Sequence, residues 1–485
     1  MTTNNINHQS IEVGSRHALV IGSGIAGLTA ARVLTDHFDR VTVVERDLLP
    51  EEPVHRKGVP QGHQTHAILL GGLRVLEQQF PGITAELRAA GAEPVNLGTD
   101  ARFHLLGHWR VRFPSVYTAL AATRPLLEGM VRQRLAAHPR VTFVQEMEAT
   151  GLCTDEAKTR TTGVQLRPRG GGEAFQIEAN LVVAATGRSS RVPEWLTALG
   201  YPAPRETVVD ARPGYATRTY RFPQPPAFDW KVMYIQPLAP DQQRGALLVK
   251  VEDDQWQATL IGMAGDHPPT DEDGFMDFAR TLPVPDFVNA IQNAEPIAQI
   301  RGYRRMENRL WHYEGLPRYL ENFLVCGDAV YGFNPAYGQG MSVAALASMK
   351  LDDCLRQQNG DLTGLAARFQ KGLMSVIEAP WQLATGQDRE WQDGPNASGD
   401  RMARLMQGYI RRVLETMMND AHVAEAFLSV QQMLASPTRL FYPDVLWRTL
   451  RPRRRAIAPT ANPANAPAVS TSTNRLGSQS IKVKA

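Results

Sequence analysis

The feature that most constrains this chain is a glycine motif near the N-terminus, set between an apolar stretch and a helical one. Residues 17–21 predict a buried strand, residues 22–27 match G-x-G-x-x-G, and a small-residue helix continues to Leu34. The first glycine permits a tight turn, the second lets the backbone approach a pyrophosphate, and the third lets the helix pack closely on the strand. The motif therefore predicts a Rossmann-like unit that binds a dinucleotide at the helix N-terminus.

A second strand, residues 41–44, ends on Glu45, where an acidic residue can bond ribose hydroxyls. An acid at this place disfavours a 2′-phosphate, so the motif indicates FAD or NAD rather than NADP. The residues predicted to contact the dinucleotide here are Gly22, Ser23, Gly24, Ile25, Ala26, Gly27, Glu45 and Arg46.

A second informative stretch begins with the apolar residues 323–326, which predict a short strand ending at Gly327-Asp328. A loop through Pro335 and Gly338 leads to a small-residue helix that starts near Gly340. The strand-end carboxylate can accept hydrogen bonds from a sugar hydroxyl. Two loop glycines and a helix N-terminus suit a flat ring that becomes negative on reduction. An ordinary strand–loop–helix is the alternative interpretation of this stretch alone.

A polar loop, residues 55–66, follows the first unit, and Arg56 in it could reach a phosphate. His63 and His66 are three residues apart, which on a helix would place both on one face and suggests a metal site. No third ligand with suitable spacing is evident in the sequence. A polar loop beside the cofactor is therefore the favoured interpretation.

The rest of the sequence divides into regions that differ in composition and in predicted secondary structure. Short strands separated by Pro and Gly over 210–302 predict an antiparallel sheet, and Met, Leu and Ala dominate the helical region beyond residue 351. The predicted organisation is a disordered N-terminus (1–15), an FAD-binding domain in three parts (16–90, 118–209 and 303–355), substrate-domain strands (91–117), a substrate β-sheet domain (210–302), a C-terminal helical cap (356–450) and a disordered basic tail (451–485).

Composition narrows the class of protein. The 485 residues carry a formal net charge of +3, but the segment from Val445 onward holds eight Lys or Arg and no acid, which leaves −5 for the rest. A mildly acidic body argues against nucleic-acid binding. No apolar run approaches the ~20 residues of a membrane span, so no stable membrane insertion is expected. Three scattered cysteines and a polar N-terminus without a signal-peptide core favour the cytoplasm.

Three separated blocks together resemble one family. They are Gly22-x-Gly24-x-x-Gly27 with Glu45, the strand-end block Ala185-Thr186-Gly187, and Gly327-Asp328 with Pro335-x-x-Gly338-Gln339-Gly340-Met341. Their order and spacing resemble the single-component FAD monooxygenases of the p-hydroxybenzoate hydroxylase type (class A flavoproteins) across about 20–350. Residues 56–66, Phe333-Asn334-Pro335 and the cap residues Trp381, Asp388 and Phe427 resemble a narrower branch that includes bacterial olefin epoxidases of polyether biosynthesis.

The resemblance implies an α/β fold: a Rossmann-like FAD-binding domain of the glutathione reductase type, an inserted antiparallel substrate sheet and a C-terminal helical cap. It also implies roles for single residues. Glu45 holds the adenosine ribose, Arg56 and Arg124 lie along the ribose and pyrophosphate, and Asp328 binds the ribityl or pyrophosphate end. The ring contacts implied by the loop are Pro335, Gly338, Gln339, Gly340 and Met341, with Gly187 and Gly327 as further cofactor residues.

One departure from the family concerns electron supply. The family's middle block usually carries an Asp, as Asp-Gly or Asp-Ala-Thr-Gly, whereas Ala184 and Thr186 occupy those positions here. That acid is linked in the family to FAD contact and to use of NAD(P)H. NADPH or NADH as a transient donor and a separate flavin reductase therefore both stay open.

The resemblance implies a monooxygenase in which a flavin C4a-hydroperoxide delivers one atom of O₂ to an apolar or polyketide-like small molecule, by epoxidation or hydroxylation in secondary metabolism. Two alternatives stay open, because the FAD motifs specify the cofactor and not the reaction. One is a non-redox cyclase of a polyene that keeps FAD, and the other is an FAD-dependent C–C reductase or dehydrogenase. No catalytic residue is singled out, since the cofactor carries the chemistry. The candidate substrate residues are Tyr215, Tyr234, Trp256, Phe333 and Tyr337.

Overall fold

Strands and helices alternate at the start of the chain, and helices alone fill its end. The computed structural model describes residues 15–304, 306–393 and 401–451. The strands in this part of the chain are β1 (His17–Ile21), β2 (Arg40–Val44), β3 (Glu93–Asn96), β4 (Ala101–Leu105), β5 (His108–Trp109), β6 (Thr118–Ala121), β7 (Val141–Val144), β8 (Met147–Thr154), β9 (Thr161–Pro168), β10 (Phe175–Glu178), β11 (Leu181–Ala184), β12 (Arg205–Val209), β13 (Gly214–Arg221), β14 (Val232–Ile235), β15 (Arg244–Lys250), β16 (Gln255–Gly262), β17 (Glu295–Pro296), β18 (Arg301–Tyr303), β19 (Asn308–His312), β20 (Phe323–Val325) and β21 (Tyr331–Gly332).

The α-helices lie between and after these strands. In the same described ranges they are α1 (Ile25–Leu34), α2 (Leu70–Gln79), α3 (Ile83–Ala89), α4 (Arg124–Ala136), α5 (Val192–Ala198), α6 (Glu272–Arg280), α7 (Asp286–Ile291), α8 (Gly340–Gln357), α9 (Leu365–Asp393), α10 (Arg401–Met417), α11 (Ala421–Gln431) and α12 (Pro443–Leu450).

The central sheet is parallel and has the strand order β20-β11-β1-β2-β7. Every residue of β1 and β11 is buried, and both strands are largely apolar. Strands of this kind belong in the middle of a parallel sheet whose faces are covered by helices. Helix α1 follows β1 and packs against α8, which follows β20. The α/β class predicted from the sequence is confirmed.

A larger sheet contains the short strands of residues 210–302 and has the order β17-β13-β16-β15-β14-β4-β5, with β18 also paired to β13. The pairs β13–β16, β15–β16 and β14–β15 are antiparallel, as the sequence predicts. The pair β14–β4 is parallel, because β4 reaches this sheet from an earlier part of the chain. A separate apolar core that includes Trp230, Trp256 and Phe275 lies against this sheet.

The strands of residues 91–117 belong to two different sheets. Strands β4 and β5 extend the larger sheet, whereas β3 pairs antiparallel with β6 outside it. Strand β5 ends at Trp109. Beyond it, Arg110 and Val111 are held by backbone bonds to Phe103 and to Met418 of the helical region.

The C-terminal region is helical, as predicted. Helices α10 and α11 share an apolar core with Phe103 and Leu105 of β4. The long helix α9 packs on α8 and on β20, so it lies over the central sheet. In the part of the chain described, no helix is both long and apolar enough to cross a membrane.

Two predictions fall almost entirely outside the described residues. These are the disordered N-terminus, of which only residue 15 is described, and the basic tail from 451, of which only Arg451 is described. The chain up to Thr449 forms one unit, and the site described next belongs to it.

Candidate functional site

A cavity of about 310 Å³ opens at the carboxyl ends of β1, β2, β11 and β20. This edge of an open parallel sheet is where α/β proteins bind ligands. Most of the predicted cofactor residues line the cavity: Gly22, Ser23, Gly24, Ile25, Ala26, Glu45, Arg46, Arg56, Arg124, Gly187, Asp328, Pro335, Gly338, Gln339, Gly340 and Met341.

The glycine motif forms one wall of the cavity, and its three glycines have different surroundings. Gly22 has a φ of +104°, which favours glycine, and a Cβ built there would lie 2.4 Å from the carbonyl oxygen of Ala185. A Cβ on Gly27 would lie 1.9 Å from the carbonyl oxygen of Gly22, so Gly27 serves helix packing behind the cavity. Among the described atoms, none lies within 4 Å of a Cβ built on Gly24. Gly24 is therefore the position where a ligand can touch the backbone at the start of α1.

Glu45 is buried at the end of β2 and is held by its neighbours. The backbone N–H and the hydroxyl of Ser23 donate to Oε2 at 2.9 and 2.6 Å, and the backbone N–H of Asp47 donates to Oε1 at 3.0 Å. A carboxylate has about four acceptor positions, so capacity remains for a sugar hydroxyl. Arg46, the next residue, is exposed and lines the same end of the cavity.

Arg56 and Arg124 join a group of buried acids, here termed the charged cluster: Glu45, Asp47, Arg56, Arg124 and Glu128. Arg56 contacts Glu128 at 2.8 Å, Glu45 at 3.3 Å and Asp47 at 3.4 Å. Arg124 contacts the other oxygen of Glu128 at 2.7 Å. Burial raises the pKa of Glu128, but Arg124 and Arg56 outweigh it, so that pKa lies below its ordinary value. Both arginines still line the cavity and can face a phosphate.

Asp328 follows β20 on the opposite wall, in a short 3-10 turn. Its side chain is 40% exposed, and Nε of Arg188 lies 3.7 Å from its Oδ2. Gly327, one residue before, has a φ of +63°, and a Cβ there would lie 2.5 Å from Cβ of Ala26. Gly327 thus lets β20 come close to α1, while Asp328 presents acceptors to the cavity.

The loop from Phe333 to Met341 closes the far end of the cavity. Gly338 has a φ of +65°, and the helix α8 begins two residues later at Gly340. A Cβ on Gly340 would meet no described atom within 4 Å, so the cavity reaches the backbone there as it does at Gly24. Oε1 of Gln339 is buried and has no hydrogen-bond partner among the described residues. Such an open backbone and unpartnered acceptor fit the polar edge of a flavin ring.

The predicted substrate residues separate into two groups. Tyr215 and Phe333 line the cavity, and the hydroxyl of Tyr215 is buried without a partner in the described part of the chain. Tyr234, Trp256 and Tyr337 do not line it.

The prediction for Trp256 is wrong. Its indole packs on Phe222, Phe228 and Trp230, at centroid distances of 5.7, 5.5 and 5.6 Å, on the other side of the larger sheet from Tyr215. Side chains alternate between the two faces of a strand, and the alternation alone does not say which face meets the cofactor. Tyr234 packs on Phe103, and Tyr337 donates to a carboxylate on α9.

The two histidines of the polar loop, His63 and His66, have different partners. His63 ends a 3-10 helix and stacks on His55 with ring centroids 3.8 Å apart, while Nδ1 of His66 bonds the carbonyl oxygen of Gln64 at 2.8 Å. Burial, with Arg124 nearby, lowers the pKa of His66 to about 4, so the ring is neutral at pH 7. Within the described ranges, no group of three side chains is placed to bind a metal.

Arg188, which the sequence did not single out, also shapes the cavity, as does His66 of the polar loop. Arg188 donates to the carbonyl oxygens of Glu307 and Phe333, at 3.0 and 2.5 Å, and so braces the ring-end loop. His66 lines the cavity between the two arginines and the loop. A polar residue directly after a strand-end glycine is the signal that points to Arg188, whereas no local signal points to its partners.

Comparisons with known proteins identify an FAD-binding region in this chain. Residues 16–215 match the family described as FAD binding domain. Protein Rv3254 of Mycobacterium tuberculosis is 33% identical over 377 residues, which are 76% of this chain and 79% of that protein. The 6-methylpretetramide 4-monooxygenase of Streptomyces rimosus is 29% identical over 36% of this chain and 38% of its own length.

A solved structure, PqsL of P. aeruginosa in complex with 2-aminobenzoylacetate, superimposes with a TM-score of 0.60. It is 20% identical and covers 79% of this chain and 99% of that chain, so it shows the shared fold. The FAD-binding fold and FAD itself, both predicted from the sequence, are confirmed by these matches.

Proposed function

This chain belongs to the p-hydroxybenzoate hydroxylase-like family of FAD-dependent oxidoreductases, and we propose that it is a monooxygenase that transfers one atom of O₂ to an apolar small molecule. One observation carries the proposal. A single cavity runs from Glu45 and Gly24, past Asp328, to the loop at Gly338–Met341 and then to Tyr215 of the larger sheet. A cofactor lying along it would bring its ring against a sheet that can bind a second molecule.

We propose a place for each part of FAD from the residues present. Glu45 with Ser23 would hold the adenosine ribose, the N-terminus of α1 at Gly24 the pyrophosphate, and Asp328 the ribityl hydroxyls. Reduced flavin, when bound, supplies the activation of O₂. The chain contributes position, fixed dipoles and exclusion of water by Phe333 and Met341 at the ring end.

We propose a polyketide-like apolar substrate of secondary metabolism, modified by epoxidation or hydroxylation. Apolar and aromatic side chains near the ring end support this class, among them Trp195, Tyr215, Phe333 and Ala344. The monooxygenase relative from S. rimosus supports oxygen transfer as the reaction type. Tyr215 offers a polar group that can orient the substrate, because its hydroxyl has no described partner.

The residues at positions 184 and 186 bear on the identity of the electron donor. Ala184 is fully buried in β11, and Thr186 lines the cavity and donates to Ser190 at 2.6 Å, so neither position presents a carboxylate. We propose NADPH or NADH as a transient donor, with a separate flavin reductase as the other possible source. The lack of an acid at 184 and 186 also favours a second candidate function, a non-redox cyclase of a polyene that keeps FAD.

We also propose that the protein works in the cytoplasm, without nucleic acid. The described thiols, Cys153, Cys326 and Cys354, are all free, and burial raises the pKa of Cys326 to about 12. A buried protonated thiol is unreactive and suits a reducing compartment.

The deciding experiment follows the flavin without a substrate. The purified protein should show the absorption spectrum of bound FAD, which is then titrated anaerobically with NADPH, with NADH, and with either donor plus a separate flavin reductase. Bleaching followed by reoxidation on adding O₂ is the expected result for a monooxygenase. Flavin that stays oxidised under all three conditions would contradict it and support the cyclase.

The assignment of Asp328 is tested separately. Asp328→Ala should weaken FAD binding by about ten-fold to a hundred-fold, because a hydrogen bond to a charged group contributes about 1.5–3 kcal/mol. Asp353→Ala on α8, an exposed carboxylate, is the matched control and should keep full flavin content. An Asp328→Ala protein that purifies with full FAD would refute the role given to this residue.

A further inference from the structure

A fully buried carboxylate, Asp388, lies on α9 behind the ring end of the cavity. It accepts hydrogen bonds from Nδ2 of Asn308 at 2.6 Å, from Nδ2 of Asn334 at 2.9 Å and from the hydroxyl of Tyr337 at 2.6 Å. These four residues are termed the Asp388 cluster. All three donors are uncharged side chains, so hydrogen bonds rather than an ion pair stabilise the carboxylate.

The cluster fixes the shape of the loop that precedes α8. The backbone N–H of Asn334 donates to Oδ1 of Asn308 at 2.8 Å, and Oδ1 of Asn334 accepts the backbone N–H of Ala336 at 3.1 Å. Asn334 is therefore held at its backbone and at both ends of its amide. Tyr337, at the other end of the same turn, is tied to the second oxygen of Asp388.

The opposite side of this loop forms the ring end of the cavity. Phe333, Pro335 and Gly338 line the cavity. Asn334 and Tyr337, which lie between them in the sequence, face Asp388 instead. Gly338 then sets the backbone direction in which α8 starts. A shift of the cluster would therefore move the residues that contact a bound ring.

The chemistry of the cluster requires an acceptor at residue 388. A carboxylate accepts at both oxygens, whereas an amide of the same shape accepts at one oxygen and presents two hydrogens at the other position. Those hydrogens would face either the amide nitrogens of Asn308 and Asn334, or the hydroxyl of Tyr337, which would then have to turn from donor to acceptor. A buried carboxylate is costly to keep unless it is fully bonded. Asp388 lies on a helix more than 50 residues further along the chain than the loop, and its buried carboxylate bonds that loop at Asn334 and Tyr337.

We propose that Asp388 is a positioning residue that fixes the loop 334–337 so that Pro335 and Gly338 meet the isoalloxazine ring of FAD. Asp388 acts through Asn334 and Tyr337 and does not touch the cofactor. The inference rests on FAD binding alone, so it holds or fails independently of the reaction proposed above.

The test uses the full chain, stripped of FAD and titrated with it while the fluorescence of the flavin is followed. Asp388→Asn should raise the dissociation constant for FAD about ten-fold or more, since it removes at least one hydrogen bond to a charged group. It should also shift the visible absorption bands of the bound flavin, because the ring then lies against a displaced loop. Glu378→Gln, an exposed carboxylate on the same helix, is the control and should change neither quantity.

A double variant separates the hydrogen bonds from packing. Asp388→Asn combined with Asn334→Asp exchanges the acceptor and donor between the two positions, and residue 334 can still accept the backbone N–H of Ala336. We expect this protein to recover FAD binding to within about three-fold of the parent and to restore the parent absorption bands.

Two results would overturn the proposal. One is an Asp388→Asn protein that binds FAD within about two-fold of the parent and has an unchanged spectrum. The other is a double variant as weak as the single one, which would assign the loss to packing of α9. If Asp388→Asn does not fold, Tyr337→Phe removes one donor with little change in shape, and an unchanged spectrum and affinity in that variant would equally refute the role.

Discussion

The two ends of the cavity are stabilised by different kinds of buried polar group. The charged cluster at the adenosine end balances Glu45, Asp47 and Glu128 with Arg56 and Arg124. The Asp388 cluster at the ring end surrounds one carboxylate with two amides and a phenol. The first places fixed cations near a phosphate, whereas the second stabilises its carboxylate with uncharged donors.

The two clusters differ in charge, although both join segments that are far apart in the sequence. The charged cluster combines Glu45, Asp47 and Arg56, which follow β2, with Arg124 and Glu128 of α4, and the bond from Arg56 to Glu128 spans 72 residues. The Asp388 cluster draws on β19, the ring-end loop and α9, and its members are as far as 80 residues apart. We therefore expect substitutions in the charged cluster to affect stability most, and those in the Asp388 cluster to affect the cofactor most.

The largest expected effect is that of Arg56→Ala. Its side chain is 8% exposed and contacts three acids, so its removal leaves uncompensated buried charge. The free energy of unfolding of the FAD-free protein should fall by about 3–5 kcal/mol, measured by urea denaturation. Arg356→Ala, which removes a 65% exposed side chain from its ion pair with Asp352, should leave the urea midpoint nearly unchanged. Equal losses in the two variants would mean that burial adds nothing to the cost of removing Arg56.

The next effect separates stability from binding within the glycine motif. Gly27→Ala forces a Cβ against the carbonyl oxygen of Gly22 and should lower the free energy of unfolding by about 1–3 kcal/mol. Gly24→Ala has open space for its methyl group, so the FAD-free protein should unfold at nearly the parent urea concentration but bind FAD weakly. A Gly24→Ala protein with parent FAD affinity would show that the cofactor backbone does not approach α1 there.

Two tyrosine variants compare a hydrogen-bonded hydroxyl of the Asp388 cluster with a hydroxyl that has no described partner. Tyr337→Phe leaves Asp388 short of a donor and should destabilise the protein by about 1–3 kcal/mol. Tyr215→Phe removes a hydroxyl that has no described partner, so its cost should stay below about 1 kcal/mol. Thermal unfolding of the two FAD-free variants measures both values, and the reverse order would contradict the hydrogen bonding described here.

The smallest effect is expected in the dependence of stability on pH, and it has opposite signs at the two ends. The pKa of Glu128 is lowered, since Arg124 and Arg56 outweigh its burial, so its contribution is present above pH 4.5 and lost as pH falls through the folded-state pKa. Burial raises the pKa of Asp388 above 3.8, and its hydrogen bonds offset this rise only in part. The folded state therefore gains stability as pH falls through that raised pKa.

Urea denaturation between pH 7 and pH 4 tests both signs. Relative to the parent, Glu128→Gln should lose less stability on acidification, and Asp388→Asn should lose more. Parallel stability profiles for the parent and both variants would mean that neither carboxyl changes its pKa on folding.

Part of the site could be predicted because it is built from local signals. The motif at 22–27, the acid at Glu45 and the glycines at 338 and 340 each follow from a turn or close approach that only particular residues permit. The α/β class follows in the same way, since largely apolar strands such as β1 and β11 fit the middle of a parallel sheet.

The rest was decided by tertiary structure. Nothing in the sequence distinguishes Trp256, which packs in a separate apolar core, from Tyr215 on the neighbouring strand, which reaches the cavity, because the face of the sheet that meets the cofactor is set by how the two domains assemble. Asn308, Asn334 and Asp388 likewise become one cluster only when α9 folds over the ring-end loop. The sequence by itself determined the fold class and the cofactor, since these depend on backbone geometry within short segments. Only the packing of distant segments decided which side chains support the ring and which face the substrate.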